Sequence, residues 1–360
     1  MTESIAVIFG GPSDEHDISI LTGLQSSRIL NNRYDVQNIY WSKDNKWYLV
    51  KNDLEPIDFV DNDDIFKNEL TIKYDSKPGF YLKKKKIPFK IAVNACHGGP
   101  GEDGTLQSLL SLLNISYTGP SLTTSQIGMD KYVFYTLMKE SGIPVLDKHL
   151  VSTNSKPDFS GPYILKPRFG GSSIGVEVVE DYETALKLCG NSKIYSQGST
   201  VEKFLEKSDD LLIAIRTYPN LDFSEIEKPI RTSNFELFSY NDKYLDNGGL
   251  EGSKRELPAS VSPEIESKVQ NIVKLFVEKI EIRGISRVDF LFHDENLYLN
   301  EVNTIPGSHA LYLWQNIGKS KFELLNDMVE EAKSNVNHWS TEGSDGVALK
   351  GAKDIQSKLG

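Results

Sequence analysis

The chain opens on five consecutive apolar residues, Ile5-Ala6-Val7-Ile8-Phe9, stopped by Gly10-Gly11-Pro12-Ser13. Apolar positions then recur at helical spacing (Ile18, Leu21, Leu24, Ile29, Leu30), so the pattern predicts strand, loop and helix. Val36–Tyr40 predicts a second strand. Ile91–Ala95 predicts another buried one, leading through a glycine-rich loop into an apolar helix around Leu106–Leu113. Residues 51–90 are charged and irregular, which predicts loop with short hairpins. Strands alternating with helices predict a parallel sheet covered on both faces.

Near residue 120 the pattern changes. Tyr132–Lys139 predicts a helix, stopped by Ser141-Gly142-Ile143-Pro144. Pro162–Lys166 predicts a strand running into Pro167-Arg168-Phe169-Gly170-Gly171-Ser172-Ser173-Ile174-Gly175. Strand Gly175–Val179, helix Tyr182–Leu188 and strands Val201–Leu205 and Leu211–Tyr218 follow. An amphipathic helix is expected over Glu264–Ile280, with Ser262 as N-cap and Pro263 as its first residue. A hairpin follows, Ile285–Phe292 and Leu297–Asn303. The last residues, about twenty, are polar and Gly-rich, and poor order is expected there.

Composition narrows the function classes. At 360 residues the chain is long enough for two or three domains, each with its own core. It carries 40 Lys+Arg against 51 Asp+Glu, a net charge of -11, which argues against a general binder of nucleic acid or anionic membranes. Lys83–Lys86 is the one basic run, short enough to be a solvated loop. Cys96 and Cys189 cannot build a disulfide framework, and two lone thiols make no metal site. No apolar run approaches a membrane span, and Met1-Thr2-Glu3-Ser4 lacks the basic start of a signal peptide. A soluble, cytoplasmic protein is expected.

The hairpin carries the most chemistry. If pairing centres on Glu295, Asp289 lies opposite Glu301 and Arg287 opposite Asn303, while Val288, Phe290 and Val302 turn to the other face. Two carboxylates and an amide oxygen would then share one patch, which suits Mg²⁺ together with substrate phosphates. The plainer alternative is a solvated hairpin face on which Arg287 neutralises the acids. Lys166, before the Gly170–Gly175 loop, could reach phosphates, and glycines and serines let backbone N–H groups approach them. Gly-Ser loops are also ordinary turns. Gly99–Gly104 matches G-x-G-x-x-G but puts Glu102 and Asp103 where a pyrophosphate would lie, so the match is read as coincidence. Gly318-Lys319-Ser320 resembles the end of a P-loop, yet Leu313 stands where its first glycine must be. Glu15 and His97 occupy loops after apolar strands, where an open sheet binds ligands, although Glu15 could simply cap the helix that follows.

Taken in order, these segments resemble the D-alanine–D-alanine ligase family of the ATP-grasp fold. The matching runs are Gly10–Ser19, His97–Gln107, Tyr117–Pro120, Met129-Asp130-Lys131, Lys166–Gly175, Glu202–Leu205, Lys243-Tyr244, Pro258-Ala259, Arg287-Val288-Asp289 and Asn300–Gly307. The resemblance implies an α/β fold of three domains: an N-terminal Rossmann-like domain (1–119), a central ATP-grasp subdomain (120–205) and a C-terminal one (206–338), with 339–360 as tail. It implies ATP-dependent joining of two small amino acids through an acyl phosphate, with ATP as substrate, two Mg²⁺ (or Mn²⁺), a homodimer, and no nucleic-acid or membrane partner.

By the same resemblance, Lys131 and Lys166 contact ATP phosphates under a loop containing Ser172 and Ser173, and Lys243 also binds ATP. Glu202, Phe204 and Leu205 hold adenine, Asp210 the ribose, and Asp289, Glu301 and Asn303 the metals. Glu15 anchors the first substrate's ammonium, with His97 near its carboxylate. Arg287 and the Gly307 N–H form an oxyanion site. Ser172, Tyr244 and Glu15 form a hydrogen-bonded trio, and the segment around Asp246–Gly252 is expected to close over the site.

The chain departs from the family pattern after Gly307. In place of a Thr and a later Ser that holds the second substrate's carboxylate stands Ser308-His309-Ala310-Leu311-Tyr312. Tyr312 falls at the Ser position without a gap and Leu311 with one, and Ser308 or His309 could substitute. Asp210 replaces a ribose-contacting Glu. A ligase with a different acceptor therefore stands as the alternative to D-alanine–D-alanine ligation. A nucleotide sensor without turnover would show a lost metal ligand or phosphate lysine, and none is lost.

Overall fold

The structure is a computed structural model that describes residues 2–61, 63–230 and 254–335 and, in the tail, 342–351, 354–356 and 359. Three sheets organise it. The first runs through β1 (Ser4–Gly10), β2 (Asp35–Trp41), β3 (Trp47–Val50), β4 (Glu69–Lys73), β5 (Gly79–Leu82), β6 (Lys85–Lys86), β7 (Ile91–Asn94) and β8 (Ser116–Tyr117), in the order β6-β5-β4-β3-β2-β1-β7-β8. Only β2-β1-β7-β8 is parallel; β3 to β6 extend the sheet antiparallel. The parallel sheet expected from the sequence is β2-β1-β7-β8, and β3 to β6 add an antiparallel extension to it. Residues 51–90 supply three of its strands, because Leu70, Phe80 and Tyr81 find buried neighbours that no local periodicity announces.

The two faces of β1 are read off its alternation. Ile5, Val7 and Phe9 pack towards α1 (His16–Leu30), whereas Ala6 and Ile8 pack towards α2 (Thr105–Leu112). The same core that holds α1 also contains Leu324, Leu325, Met328 and Val329 of the helix Lys321–Ser334. A helix grouped by sequence with the C-terminal subdomain therefore covers the first sheet.

Helices α3 (Leu122–Met129) and α4 (Lys131–Glu140) lead to the second sheet. It comprises β9 (Lys148–Leu150), β10 (Tyr163–Pro167), β11 (Glu177–Val179) and β12 (Ser199–Lys203) in the antiparallel order β11-β10-β12-β9, backed by α5 (Tyr182–Asn191). The third sheet comprises β13 (Asp209–Arg216), β14 (Asp222–Pro229), β15 (Arg255–Glu256), β16 (Ile285–His293) and β17 (Asn296–Asn303), ordered β15-β14-β13-β16-β17 and antiparallel throughout. Helix α6 (Pro263–Lys279) backs it, with Ser262 Oγ accepting from the Ile265 N–H at 3.3 Å. Its Ile265, Val269, Val273 and Phe276 meet Val288, Phe290 and Val302 in one core. No helix among the described residues is long and apolar enough to cross a membrane.

Candidate active site

The hairpin register decides what the third sheet offers. The turn is Asp294-Glu295, both residues at positive φ, so His293 pairs with Asn296 and Phe290 with Leu299. That register alone would put Asn300, not Glu301, opposite Asp289. A bulge between Asp289 and Phe290 absorbs one residue of β17, and Asp289 faces Glu301, with Arg287 facing Asn303. The same row continues across the sheet: Asp289 faces Leu212, and Leu212 faces Glu227. The Arg287 guanidinium grips Asp289 with two bonds of 2.7 Å, and the Asn303 amide donates to Asp289 Oδ2 at 3.1 Å. The patch is no solvated face, since Asp289 is only 7% exposed.

These residues line one cavity between the second and third sheets and the loops of the first. Glu15, Ser172 and Ser173 lie on it, as do Lys131, Lys166, Glu202, Phe204, Leu205, Asp210, Arg287, Asp289, Glu301, Asn303, Gly307 and His97. Lys243 and Tyr244, and the expected closing segment around them, lie outside the described residues. Ser308 and His309 are not on the cavity wall, and His309 is fully buried. Tyr312 faces the cavity instead, while Leu311 is in the core.

Glu15 precedes α1 and accepts a hydrogen bond from the Ser172 hydroxyl, which joins the first sheet's loop to the Gly-Ser loop. Two glycines make room for its carboxylate. A Cβ on Gly98, whose φ is +65°, would lie 2.7 Å from Glu15 Oε2, and one on Gly171 would lie 3.3 Å away. The Gly-Ser loop is tied at its base as well. Arg168 grips Asp130 in a fork (2.9 and 2.6 Å), Asp130 caps α4 through the N–H groups of Tyr132 and Val133, and the Lys131 ammonium donates to the Gly170 carbonyl.

Lys166 is the penultimate residue of β10 and Glu202 sits on β12; they form an ion pair in a site where Glu202 is 1% exposed. A second lysine, Lys148 on β9, directly faces Glu202 in the sheet and takes its other oxygen. Sequence reading missed Lys148, because a three-residue edge strand leaves no periodic signal. Burial alone would lower Lys166, but the Glu202 and Glu301 carboxylates outweigh it and hold the ammonium above its ordinary value. Burial likewise raises Glu202, and the two lysines more than reverse it. Two lysines thus meet the two oxygens of one buried carboxylate.

The loop after β17 is held from the first sheet. His97 Nδ1–H donates to the Ile305 carbonyl at 2.7 Å, so Nε2 accepts from the Thr22 hydroxyl at 2.7 Å, and Thr22 Oγ accepts the Ser308 N–H at 3.0 Å. Both ring nitrogens are thereby engaged, and burial keeps the imidazole neutral by lowering its pKa. Glu102 accepts from the N–H groups of Gly98 (3.0 Å) and Ile305 (3.2 Å) and from the Thr304 hydroxyl (3.0 Å). These contacts support a run of three non-glycine residues in the left-handed region, Ser308, His309 and Ala310, at φ of 49°, 48° and 51°.

Burial pushes the carboxyls of Glu102 and Glu331 up to about 7, from an ordinary 4.5. Over that interval the folded chain holds protons that the unfolded chain has lost. Stability is therefore expected to fall as pH rises from about 4.5 to 7 and to level off above. Glu331 lies outside the cavity, on the helix Lys321–Ser334, and accepts the Gly284 N–H at 2.6 Å. Glu331→Gln should flatten part of that fall, read as thermal midpoints on either side of the interval; an unchanged slope would show that Glu331 is ionised in the folded chain.

Family models for the N-terminus and the C-terminus of D-Ala–D-Ala ligase match residues 4–120 and 124–330. A D-alanine–D-alanine ligase of Thermosipho africanus is 33% identical over 374 residues, which cover 99% of this chain and 96% of that protein. The crystal structure of the D-alanine–D-alanine ligase from Helicobacter pylori is 27% identical and superposes with a TM-score of 0.74, covering 91% of this chain and 99% of its own. The VanG D-Ala:D-Ser ligase from Enterococcus faecalis shares the fold at a TM-score of 0.76 and 24% identity, over 92% of this chain and all of its own. With two family models spanning nearly the whole described chain and a relative one-third identical end to end, this protein belongs to the D-alanine–D-alanine ligase family, ATP-dependent ligases of the ATP-grasp fold.

Proposed function

We propose that the protein joins two molecules of D-alanine at the expense of ATP, supplying a peptidoglycan precursor in the cytoplasm, and that it works as a homodimer. The observation that carries this reading is the convergence of four kinds of group in one cavity. These are an ammonium anchor (Glu15 with Ser172), phosphate cations (Lys131, Lys166), an oxyanion pair (Arg287, Gly307) and a hard-oxygen cluster (Asp289, Glu301, Asn303).

In this scheme Glu15 holds the ammonium of the first D-alanine and aims its carboxylate at the γ-phosphate. A carboxylate oxygen attacks phosphorus, ADP leaves, and an acyl phosphate forms. The amine of the second D-alanine attacks the acyl carbon, loses a proton, and expels phosphate as the tetrahedral centre collapses. The Arg287 guanidinium and the Gly307 N–H stabilise the oxygen that carries the charge. His97, with both nitrogens engaged, acts by holding Ile305 and Thr22, and so fixes the Gly307 loop. Apolar Ile164 of the second sheet, Val176 just before β11, and Leu212 and Leu291 of the third sheet line the same cavity, a slot for a purine, together with Lys203, Phe204, Leu205 and Asp210.

Asp289, Glu301 and Asn303 fit Mg²⁺ by chemistry, as two carboxylates and an amide oxygen in one sheet row, and Mn²⁺ shares that preference. Two such ions would neutralise charge on the transferring phosphoryl group.

The test is phosphate release with ATP and Mg²⁺ in the presence of D-alanine alone, then D-alanine paired with other amino and hydroxy acids, with products weighed by mass spectrometry. D-Ala–D-Ala from D-alanine alone is the expected product. Turnover only in mixed reactions would replace this reading with a ligase of different acceptor.

The Lys148–Glu202–Lys166 cluster gives a separate expectation. Lys148→Met leaves Glu202 to cancel Lys166, so ADP should bind roughly tenfold more weakly while adenosine, lacking phosphates, changes little. Lys148→Arg should restore ADP binding. Equal loss of both ligands would mean that Lys148 only supports the fold.

A further inference from the structure

The Gly-Ser loop, residues 168–176, has open space on both sides. The main cavity lies along one side, and a second cavity of about 270 Å³ separates Gly170 and Gly171 from the turn at residues 193–198. A Cβ on Gly170 would meet nothing within 4 Å. Hydrogen bonds rather than side-chain packing therefore set where the loop rests. Two of them brace its middle: the Ile174 N–H donates to the Gly171 carbonyl at 3.2 Å, and the Val176 N–H to the Ser173 carbonyl at 3.3 Å. Braced in this way, the loop is built to shift as a unit about its two feet.

One short turn holds both feet. At the start of the loop the Arg168 N–H donates to the Gly198 carbonyl at 3.0 Å; at its end the Tyr195 hydroxyl donates to the Gly175 carbonyl at 2.9 Å. The Gly198 N–H donates to the Tyr195 carbonyl at 2.9 Å and joins the two anchors. Gly175 is at φ +72°, and a Cβ there would come within 2.7 Å of Ile194 and 2.9 Å of Pro167, so the backbone is pressed onto the turn. Tyr195 is 4% exposed and shares the core of the second sheet with Leu165 and Val201, so its ring cannot follow the loop. Its hydroxyl has one proton and two acceptors, because Glu177 Oε1 also lies 2.9 Å away. Burial and the Glu177 carboxylate raise its pKa, which keeps the phenol a donor. The Gly175 carbonyl and the exposed Glu177 carboxylate compete for that proton.

We propose that Tyr195 is a positioning residue for the ligase reaction: its hydroxyl pins the Gly175 end of the loop as the Gly198 carbonyl pins the Arg168 end, and so keeps the loop down over the transferred phosphate. The inference rests on the ligase reading and adds to it a residue that touches no substrate. Its consequence is chemical. An acyl phosphate awaiting the second amino acid is open to water. A water oxygen attacks the acyl carbon, the bond from that carbon to the phosphate oxygen breaks, phosphate leaves with the electron pair, a proton passes to solvent, and D-alanine is regenerated. A loop loose at its Gly175 foot admits that water, and ATP is then consumed without a dipeptide.

The experiment joins two measurements on the full chain. Hydrogen exchange over residues 168–177 is followed by mass spectrometry with ADP and Mg²⁺ present, and phosphate release is counted against dipeptide with D-alanine held low and ATP saturating. Tyr195→Phe removes the hydroxyl alone. Exchange over 168–177 should quicken about three- to tenfold, the factor one hydrogen bond is worth, while β10 and β12 exchange as before. Phosphate released per dipeptide should rise from about one to about two or more. Glu177→Ala leaves the phenol proton to Gly175, so exchange there should stay at or below that of the unaltered protein. Tyr163→Phe loses a hydroxyl bonded to the Phe159 carbonyl in the same core; it controls for general loosening and should change neither reading. The proposal is wrong if Tyr195→Phe leaves loop exchange unchanged, quickens β10 and β12 equally, or keeps one phosphate per dipeptide, or if Glu177→Ala quickens the loop as much. If the unaltered protein makes no dipeptide from D-alanine, the ligase reading fails, and loop exchange alone decides whether Tyr195 holds the loop.

Discussion

Glu301→Ala is expected to lose turnover by about a thousandfold or more, the equivalent of roughly 4 kcal/mol of transition-state stabilisation. Glu301 faces Asp289 across the hairpin, and the pair supplies both carboxylates of the oxygen cluster. Without it, one carboxylate remains, and that one is already gripped by Arg287. Circular dichroism should show an intact fold, because the core side of this strand pair, Val288, Phe290 and Val302, is untouched. Titration of the variant with Mg²⁺ and ADP should show the metal-dependent part of ADP binding reduced and the metal-free part retained. A folded Glu301→Ala protein with near-normal rates would falsify the metal role of the hairpin.

Arg287→Met should cost the next largest amount. Loss of one donor at a developing oxyanion lowers kcat by about 10²–10³. The substitution also strips a buried carboxylate of its partner, since the Arg287 guanidinium grips both oxygens of Asp289. Removing one member of a buried pair destabilises by about 3–5 kcal/mol, so a lower melting temperature is expected together with the loss of rate. Arg287→Lys separates the two effects. An ammonium keeps the charge beside Asp289 but not the planar fork, so stability should largely return while kcat stays depressed. If the lysine variant recovers kcat as fully as stability, Arg287 serves only to balance Asp289.

Several features are legible in the amino-acid sequence alone. Helix α6 begins at Pro263 behind its Ser262 cap, as a Ser-Pro start followed by apolar residues at helical spacing requires. The facing of Asp289 and Glu301 is also expected from the sequence, although for an incomplete reason. Centring the turn on Glu295 gives the right pairs near Asn303, yet the actual turn has two central residues, and only the bulge restores the register. A bulge has no reliable sequence mark. Its position reflects how β17 lies against its neighbours.

Other features leave no local trace. β14, with its sequence Asp-Phe-Ser-Glu-Ile-Glu-Lys-Pro, looks like an exposed charged segment, but Glu227 is buried because Arg255 and Tyr312 close over it. The run from Ser308 to Tyr312 offers four candidates for contact with the second substrate. A left-handed turn at Ser308–Ala310 decides among them, sending His309 inward and Tyr312 to the cavity.

Local elements and the order of the motifs are thus written directly in the chain. Apolar period, caps and glycines act within a few residues, so they need no partner to be read. Packing of the sheets was needed to settle which oxygens of Glu202 meet Lys148 and Lys166, which helix covers β1, and that His97 spends both nitrogens on Thr22 and Ile305. Those contacts join residues far apart along the chain, and their energy comes from burial and charge pairing that exist only once the sheets have packed.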